Sequence, residues 1–466
     1  MSRFEAQSLA AWTGGRWTAE PVPPLSGFNT DSRTLRPGEI FVALRTDRRD
    51  GHAFLAAAQA AGAGAAIVAT PNVALALPQL VVADPLAALH AIARAHRRAF
   101  PGPVVGISGS AGKTSTKDLL ALLLGGEAAG VLATEGNLNN HLGVPLTLTR
   151  LDPAVHKAAV IEAGISAPGE MAPLAAMIEP DVALITLVAP AHTAELGGLE
   201  GVAREKSVLP AAVRPAGMAI FPKQCAEFAA FRELAVRQLI VERAEVIRPA
   251  EPPKDRVYFA ITQRGDSTAI ALAYGPPPPL VFTMRRVTDG MAQNAVLAIC
   301  AALWLGVARA TIQERLNAWE PALLRGELRR DGGRLLYLDC YNANPASMGD
   351  ALATFHAIAP ADEPRLYVIG CMEELGHDAA AHHRALGVSL GLRAGDRLLV
   401  IGPLGHEVCA GVLETGDHHT RIQMVSTLEP VADCLAEWRG AVFVKGSRRY
   451  HLETILGPGS PVHAHA

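Results

Sequence analysis

Residues 106–116, GISGSAGKTST, carry the clearest chemistry in the sequence. Glycines let backbone N–H groups turn onto phosphate oxygens, a lysine adds a point charge, and the hydroxyl beside it can ligate magnesium. Val104 and Val105 precede the run and a helical pattern follows it, so it reads as strand, phosphate loop and helix N-terminus. The glycines Gly106, Gly109 and Gly112 recur every third residue, whereas the common GxxxxGK[ST] spacing would need glycine where Ile107 stands. Lys113 is the candidate partner of the β/γ-phosphates and Thr114 the candidate magnesium ligand. A bland alternative is a glycine-rich strand–helix turn with no ligand.

A magnesium nucleotide needs more oxygen ligands. Glu162 ends the strand-like run AAVIE, where an open α/β sheet places its ligand crevice. His192 follows the run DVALITLV, and Lys206 lies in EGVAREKSV. Each read alone is ordinary: a solvated strand-end acid, a surface or core histidine, a solvated helix lysine. His377, His382 and His383 form no convincing metal cluster and read as a solvated helix face.

These residues need sheets to position them. The chain has 466 residues, which suggests about three domains. Half are hydrophobic, 19% are charged and the formal net charge is -3. That balance excludes intrinsic disorder and argues against a dedicated nucleic-acid binder, which needs a positive excess. Mean hydropathy is +0.20, and the longest apolar run, AVLAICAALWLGVA at 295–308, falls short of the roughly 20 residues a bilayer span needs. It reads as a buried core helix. The N-terminus lacks a secretory pattern, and six scattered cysteines contain no CxxC pair, so a soluble, reduced, cytoplasmic protein is expected.

The fold class is α/β. Residues 1–100 read as a small α/β unit ending at Pro101, Gly102 and Pro103. Residues 101–320 alternate buried strands with helices, implying a parallel sheet covered on both faces. RPAEPPKD (248–255) and GPPPP (275–279) read as its surface loops. Residues 321–466 hold four more strand-like runs, RLLYLDCY, RLYVIG, RLLVIG and GAVFVKG, in a doubly wound, Rossmann-like pattern.

Several ordered blocks resemble the Mur ligase family, ATP-dependent amide-forming enzymes with a three-domain architecture and a central P-loop domain. NTDSRTLRPGEIFVALRTDRRDGHAF looks like its N-terminal UDP-binding block, and GISGSAGKTSTK like its phosphate loop, whose glycine spacing is also threefold. TEGNLNNHLGVPLTL, IEAGISAPGEM, AHTAEL, REKSV, DCYNANPASM, GCMEELG and VKGSRRYHLE resemble further family blocks. The last blocks point to the branch that joins D-alanyl-D-alanine to UDP-N-acetylmuramoyl-tripeptide through an acyl phosphate.

The resemblance implies roles residue by residue. Lys113, Glu162, His192 and Lys206 would be catalytic. Gly109, Ser110, Ala111, Gly112, Lys113, Thr114, Ser115, Asn294, Arg325, Asp339 and Asn342 would bind ATP. Ser32, Arg33, Asn139 and Asn140 would contact the UDP-sugar peptide. Thr114, Glu162, His192 and Lys206 would hold Mg²⁺, two ions in all, with Lys206 a candidate for carbamylation. The resemblance also implies a cytoplasmic place in peptidoglycan precursor synthesis, hence in cell-wall biogenesis, cell shape and division. A monomer without nucleic acid or membrane insertion is expected.

Ala111, Leu187, Val208, Cys340 and Cys371 depart from the family pattern, each replacing a polar group. They feed one alternative, a nucleotide-binding paralogue without ligase activity; the other is a sister ligase adding a single amino acid.

Overall fold

Three sheets succeed one another along the chain, and a cavity lies where strand ends of the second and third meet. The structure is a computed structural model describing residues 4–247 and 253–456. Residues 248–252 of the proline-rich segment 248–255 lie outside the described residues.

The first sheet runs Arg16–Trp17, Gln79–Val81, Ala65–Val68, Ile40–Val42, Phe28–Asn29, parallel apart from its first pair. The helix Pro85–Ala99 covers it and ends in His96, Arg97 and Arg98, cations that suit a helix C-terminus. Arg97 is fully buried. Its guanidinium donates to the carbonyls of Ile178 and Glu179, both at 2.9 Å, and pairs with Asp181 at 2.8 Å. That contact fastens the first sheet's helix to the second layer system.

The second sheet has nine strands. Val131–Ala133, Ala158–Glu162, Val104–Ser108, Val182–Ile185, Met218–Pro222, Gln238–Arg243 and Arg256–Arg264 are mutually parallel in that spatial order. Ser267–Ala273 and Leu280–Arg285 then extend it antiparallel. The expected parallel sheet is thus extended by two antiparallel strands, and the reason is local. Gly265 and the exposed 275–279 loop allow tight reversals, so these strands return as hairpins without a crossover helix.

Residues 295–304 of the apolar run belong to the helix Asp289–Trp304, whose Ala292 and residues 295–302 are all buried, and 305–308 follow its C-terminus. It packs against the helix Lys113–Leu124 over one face of the sheet. Alanine-rich surfaces let two helices approach closely, and each fully buried leucine or isoleucine contributes about 1.5–3 kcal/mol. Among the described residues, no helix is long and apolar enough to cross a membrane.

The third sheet runs Glu327–Asp331, Arg334–Asp339, Ala441–Lys445, Arg365–Gly370, Arg397–Ile401, Ile422–Val425, parallel after its first hairpin. Sequence reading found the four inner strands and missed the two edges: ELRRD is mostly charged, and IQMV is only four residues long. The histidine face needs correction as well. His383 is fully buried: its ring accepts from the Met372 N–H at 2.9 Å and pairs with the Ala379 carbonyl at 2.6 Å. It braces the loop 371–376 instead of facing water.

Candidate functional site

A cavity of about 840 Å³ lies between the second and third sheets, lined on one side by residues 110–115, Asn139, Glu162 and Asn294 and on the other by Arg325, Asp339, Asn342 and Asn344. The sequence sets the phosphate loop more than two hundred residues before Arg325. Strand ends bring them together.

The phosphate loop links the buried strand Val104–Ser108 to the helix Lys113–Leu124. Two of its glycines are required. Gly109 has φ +148°, and a Cβ there would sit 1.9 Å from the Thr186 hydroxyl. Gly112 has φ +76°, and a Cβ there would sit 2.2 Å from Asn294 Nδ2. Thr186 also donates to the Ala111 carbonyl at 2.5 Å, so it fixes the loop's path. Lys113 Nζ donates to the Gly109 carbonyl at 3.0 Å, curling over the loop. The first N–H groups of the helix lack intrahelical partners and open on this cavity, a ready anion site. Burial pulls the Lys113 ammonium below the usual lysine range, Glu162 pulls it back up and Arg325 pushes it down.

Ser110 serves the scaffold. Its N–H donates to the Leu187 carbonyl at 2.8 Å, and its hydroxyl donates to the Ala189 carbonyl at 2.8 Å and accepts from the Ala189 N–H at 2.9 Å. The Leu187 contact is a backbone contact, so the leucine departure costs the loop nothing here. Val208 packs on the apolar core of the same layer. Cys340 and Cys371 are buried in apolar clusters, and burial pushes their thiols up to about 12 and about 11.

Glu162 is 1% exposed. Its Oε1 accepts from Asn139 Nδ2 at 2.8 Å, while its Oε2 is buried with no partner. Asn139, expected to contact the UDP-sugar peptide, is thus placed on the carboxylate. Asn140 Oδ1 instead accepts from the N–H groups of Leu142 and Gly143, just before and at the start of the helix Gly143–Leu148. It lines a second cavity of about 380 Å³ with His90 and Glu170. Ser32 and Arg33 sit on the outer loop of the first sheet, where the exposed Arg33 pairs with Asp31 at 2.6 Å. They do not line the large cavity.

The third sheet closes the cavity. Arg325 Nη2 donates to the Thr114 hydroxyl at 3.2 Å, and its guanidinium lies 3.9 Å above the Tyr341 ring. Asn344 Nδ2 donates to the Ser110 carbonyl at 3.3 Å and its Oδ1 caps the helix Pro345–Ile358. Asn342 Oδ1 accepts from the Ala343 N–H at 2.8 Å. Asp339 Oδ2 pairs with the buried Lys445 at 2.5 Å. Asp350 accepts from the Gly290 N–H at 3.0 Å, capping the helix that carries Asn294.

His192 and Lys206 stand outside the cavity lining. His192 has φ 53° and its Nδ1 pairs with Glu374 Oε2 at 2.8 Å, across the same junction where Thr193 donates to the Leu375 carbonyl at 3.1 Å. Lys206 is 3% exposed, contrary to a solvated helix lysine. Burial, with the nearby charge of Lys113, pulls its ammonium well below the lysine range.

A magnesium ion can be tested against these groups. Among the described residues, no three His, Cys, Asp or Glu side chains converge as a metal site. Glu162 Oε2 and the Thr114 hydroxyl are nevertheless two oxygen donors beside an anion site, and the first is an orphaned buried charge. Magnesium is usually held by one or two carboxylates together with substrate phosphates, so these residues fit it.

Thr186, Lys117, Lys445 and Asp350 were not singled out from the sequence. Lys117 gave no clear signal, since it sits in the polar first half of the helix, KTSTKD, before the apolar run 119–124.

Comparison with known proteins matches residues 107–302 to the Mur ligase middle domain and residues 324–448 to the Mur ligase, glutamate ligase domain. The UDP-N-acetylmuramoyl-tripeptide–D-alanyl-D-alanine ligase of Escherichia coli is 31% identical, over 93% of each chain. That of Bacillus subtilis is 28% identical, over 93% of this chain and 92% of its own. The crystal structure of MurF from Acinetobacter baumannii superposes with a TM-score of 0.86 at 30% identity, covering 98% of both chains.

Proposed function

The chain belongs to the Mur ligase family, and from that premise we propose that it joins D-alanyl-D-alanine to UDP-N-acetylmuramoyl-tripeptide in an ATP-dependent amide-forming reaction. One observation carries the reading. A single cavity gathers the phosphate loop, a carboxylate with one unpartnered oxygen and an arginine from the segment leading into the third sheet, the set needed to handle a nucleotide's phosphates.

In the reaction the tripeptide's terminal carboxylate attacks the γ-phosphorus of ATP, giving an acyl phosphate and ADP. The dipeptide amine then attacks the acyl carbon, and phosphate leaves with the C–O bond. Each step brings anions together, so fixed cations and N–H donors supply the stabilisation. Lys113 and the loop N–H groups hold the β/γ-phosphates. Arg325 closes over them from the segment leading into the third sheet, stacked on Tyr341 so that its fork is already aimed. Asn294, set over Gly112, would contact the nucleotide's base. Magnesium, when bound by Thr114 and Glu162, supplies neutralisation of the phosphate oxygens.

Lys206 suits carbamylation. Burial favours its neutral amine, the form that can add CO₂ with loss of one proton. A second cation at such a carbamate and His192 would require His192 to exchange Glu374 for the metal. Residues 1–100 take the UDP end, 101–320 the ATP, and 321–466 close over ATP and present the amine.

Phosphate release with UDP-N-acetylmuramoyl-tripeptide tests this. Release is expected with D-alanyl-D-alanine. Release only with a single amino acid would make the chain a sister ligase, and none with any amine would make it an inactive paralogue.

A further inference from the structure

Glu162 is held in a way that leaves its charge available. Its N–H donates to the Thr134 hydroxyl at 2.9 Å, and the Thr134 carbonyl accepts from Lys117 Nζ at 2.8 Å. Lys117, only 4% exposed, is thereby spent on the backbone and on Asp118, at 2.5 Å, instead of on Glu162. The side chain is gripped by an amide: Asn139 Nδ2 meets Oε1 at 2.8 Å. Asn139 is itself clamped. Its carbonyl accepts from the Gly164 N–H at 2.8 Å, and a Cβ on Gly164 would come within 2.9–3.0 Å of the Asn139 amide group. The space for Asn139 exists because residue 164 has no side chain.

The partner's chemistry matters. A lysine or arginine would neutralise the carboxylate, whereas an amide hydrogen bond fixes its direction and leaves the negative charge for a cation. With Oε1 taken, Oε2 is the one oxygen of Glu162 left without a partner, buried on a residue that lines the large cavity.

We propose that Asn139 is a positioning residue that aims Glu162 Oε2 at the nucleotide's divalent cation, and that it acts on the carboxylate and not on the sugar-peptide substrate. The inference rests on the proposed ATP-dependent function but not on the identity of the amine. Asn139→Asp keeps the shape that fits against Gly164 and replaces the donor by an acidic oxygen. Asn139→Ala is a second variant that introduces no charge.

The test is calorimetric titration of the full chain with ADP, in Mg²⁺ and in EDTA, alongside steady-state kinetics. Both variants should bind ADP about 10–100-fold more weakly in Mg²⁺. They should match the unsubstituted protein in EDTA and lower kcat with an unchanged KM for the UDP-tripeptide. An unchanged magnesium effect with a raised KM for the UDP-tripeptide would overturn the proposal, because Asn139 would then be a substrate contact. An unsubstituted protein whose ADP affinity ignores Mg²⁺ would overturn it together with the metal reading of Glu162. Loss of the magnesium effect in variants of a protein that ligates no dipeptide would support the positioning role and overturn only the proposed amine.

Discussion

Glu162 and Asp339 occupy matching places on opposite walls of the cavity. Each is the last residue of a parallel strand, Ala158–Glu162 in one sheet and Arg334–Asp339 in the other. Their partners differ. Asp339 meets the Lys445 ammonium at 2.5 Å, whereas Glu162 meets the neutral Asn139 amide at 2.8 Å. Burial pushes the Asp339 carboxyl above the usual range while Lys445 pulls it down. The ion pair ties two neighbouring strands and consumes both charges. The amide-held carboxylate keeps its charge, so an incoming cation improves its environment. Asp350 is a third case: it is held at the N-terminus of the helix Asp289–Trp304, where the Gly290 N–H is its donor. One residue class thus serves three purposes, set by the group that faces it.

The contrast breaks most visibly at Glu162. Glu162→Gln should lower kcat by about 10³-fold, equivalent to about 4 kcal/mol, read as phosphate release at saturating substrates. Its urea midpoint should hold or rise, since a buried, partly unpartnered charge is removed. Asp339→Asn should behave the other way, losing about 3 kcal/mol in urea unfolding because Lys445, 1% exposed, is left without its counter-charge. If Glu162→Gln unfolded more easily than Asp339→Asn, the two roles would be reversed.

A smaller effect is expected from Arg325→Lys. The point charge survives but the planar stack on Tyr341 does not, so ATP should bind about fivefold more weakly, about 1 kcal/mol, in a fluorescence or calorimetric titration. An unchanged affinity would reduce the guanidinium to a simple charge.

The smallest effect is the pH dependence of Asp350. Burial raises its carboxyl above the ordinary aspartate value near 4, so the folded chain keeps this proton to higher pH than the unfolded one. Its stability contribution is full below about pH 4 and is lost as pH rises through the raised value. Asp350→Asn should flatten that part of the decline in thermal denaturation between pH 4 and 7. An identical slope in the variant would show that the Gly290 cap and the Thr288 hydroxyl already offset the burial.

Legibility varied with the range of the interaction. The phosphate loop, the strand at Glu162 and the core helix were readable because each is set by residues within a few positions. The two antiparallel strands after Arg264 and the edge strands were not, because their place depends on which distant strand they pair with and in which direction. His383 looked solvated beside His377 and His382, but the helix turns it inward to the Met372 N–H. Lys206 looked like a surface lysine, since one buried lysine on a mostly polar turn leaves no periodic trace.

What the sequence determined by itself was the inventory: an α/β chain with a phosphate loop, a carboxylate at a strand end and a family resemblance carried by ordered motifs. Those features rest on local backbone preferences and on side-chain chemistry that travels with the residue. The tertiary structure alone decided the partners. It gave Lys445 to Asp339, Asn139 to Glu162, Glu374 to His192 and Thr186 to the loop at Gly109. Charge availability depends on what stands within about 3 Å of an atom, and across strands and sheets that neighbour is fixed by packing and not by sequence distance.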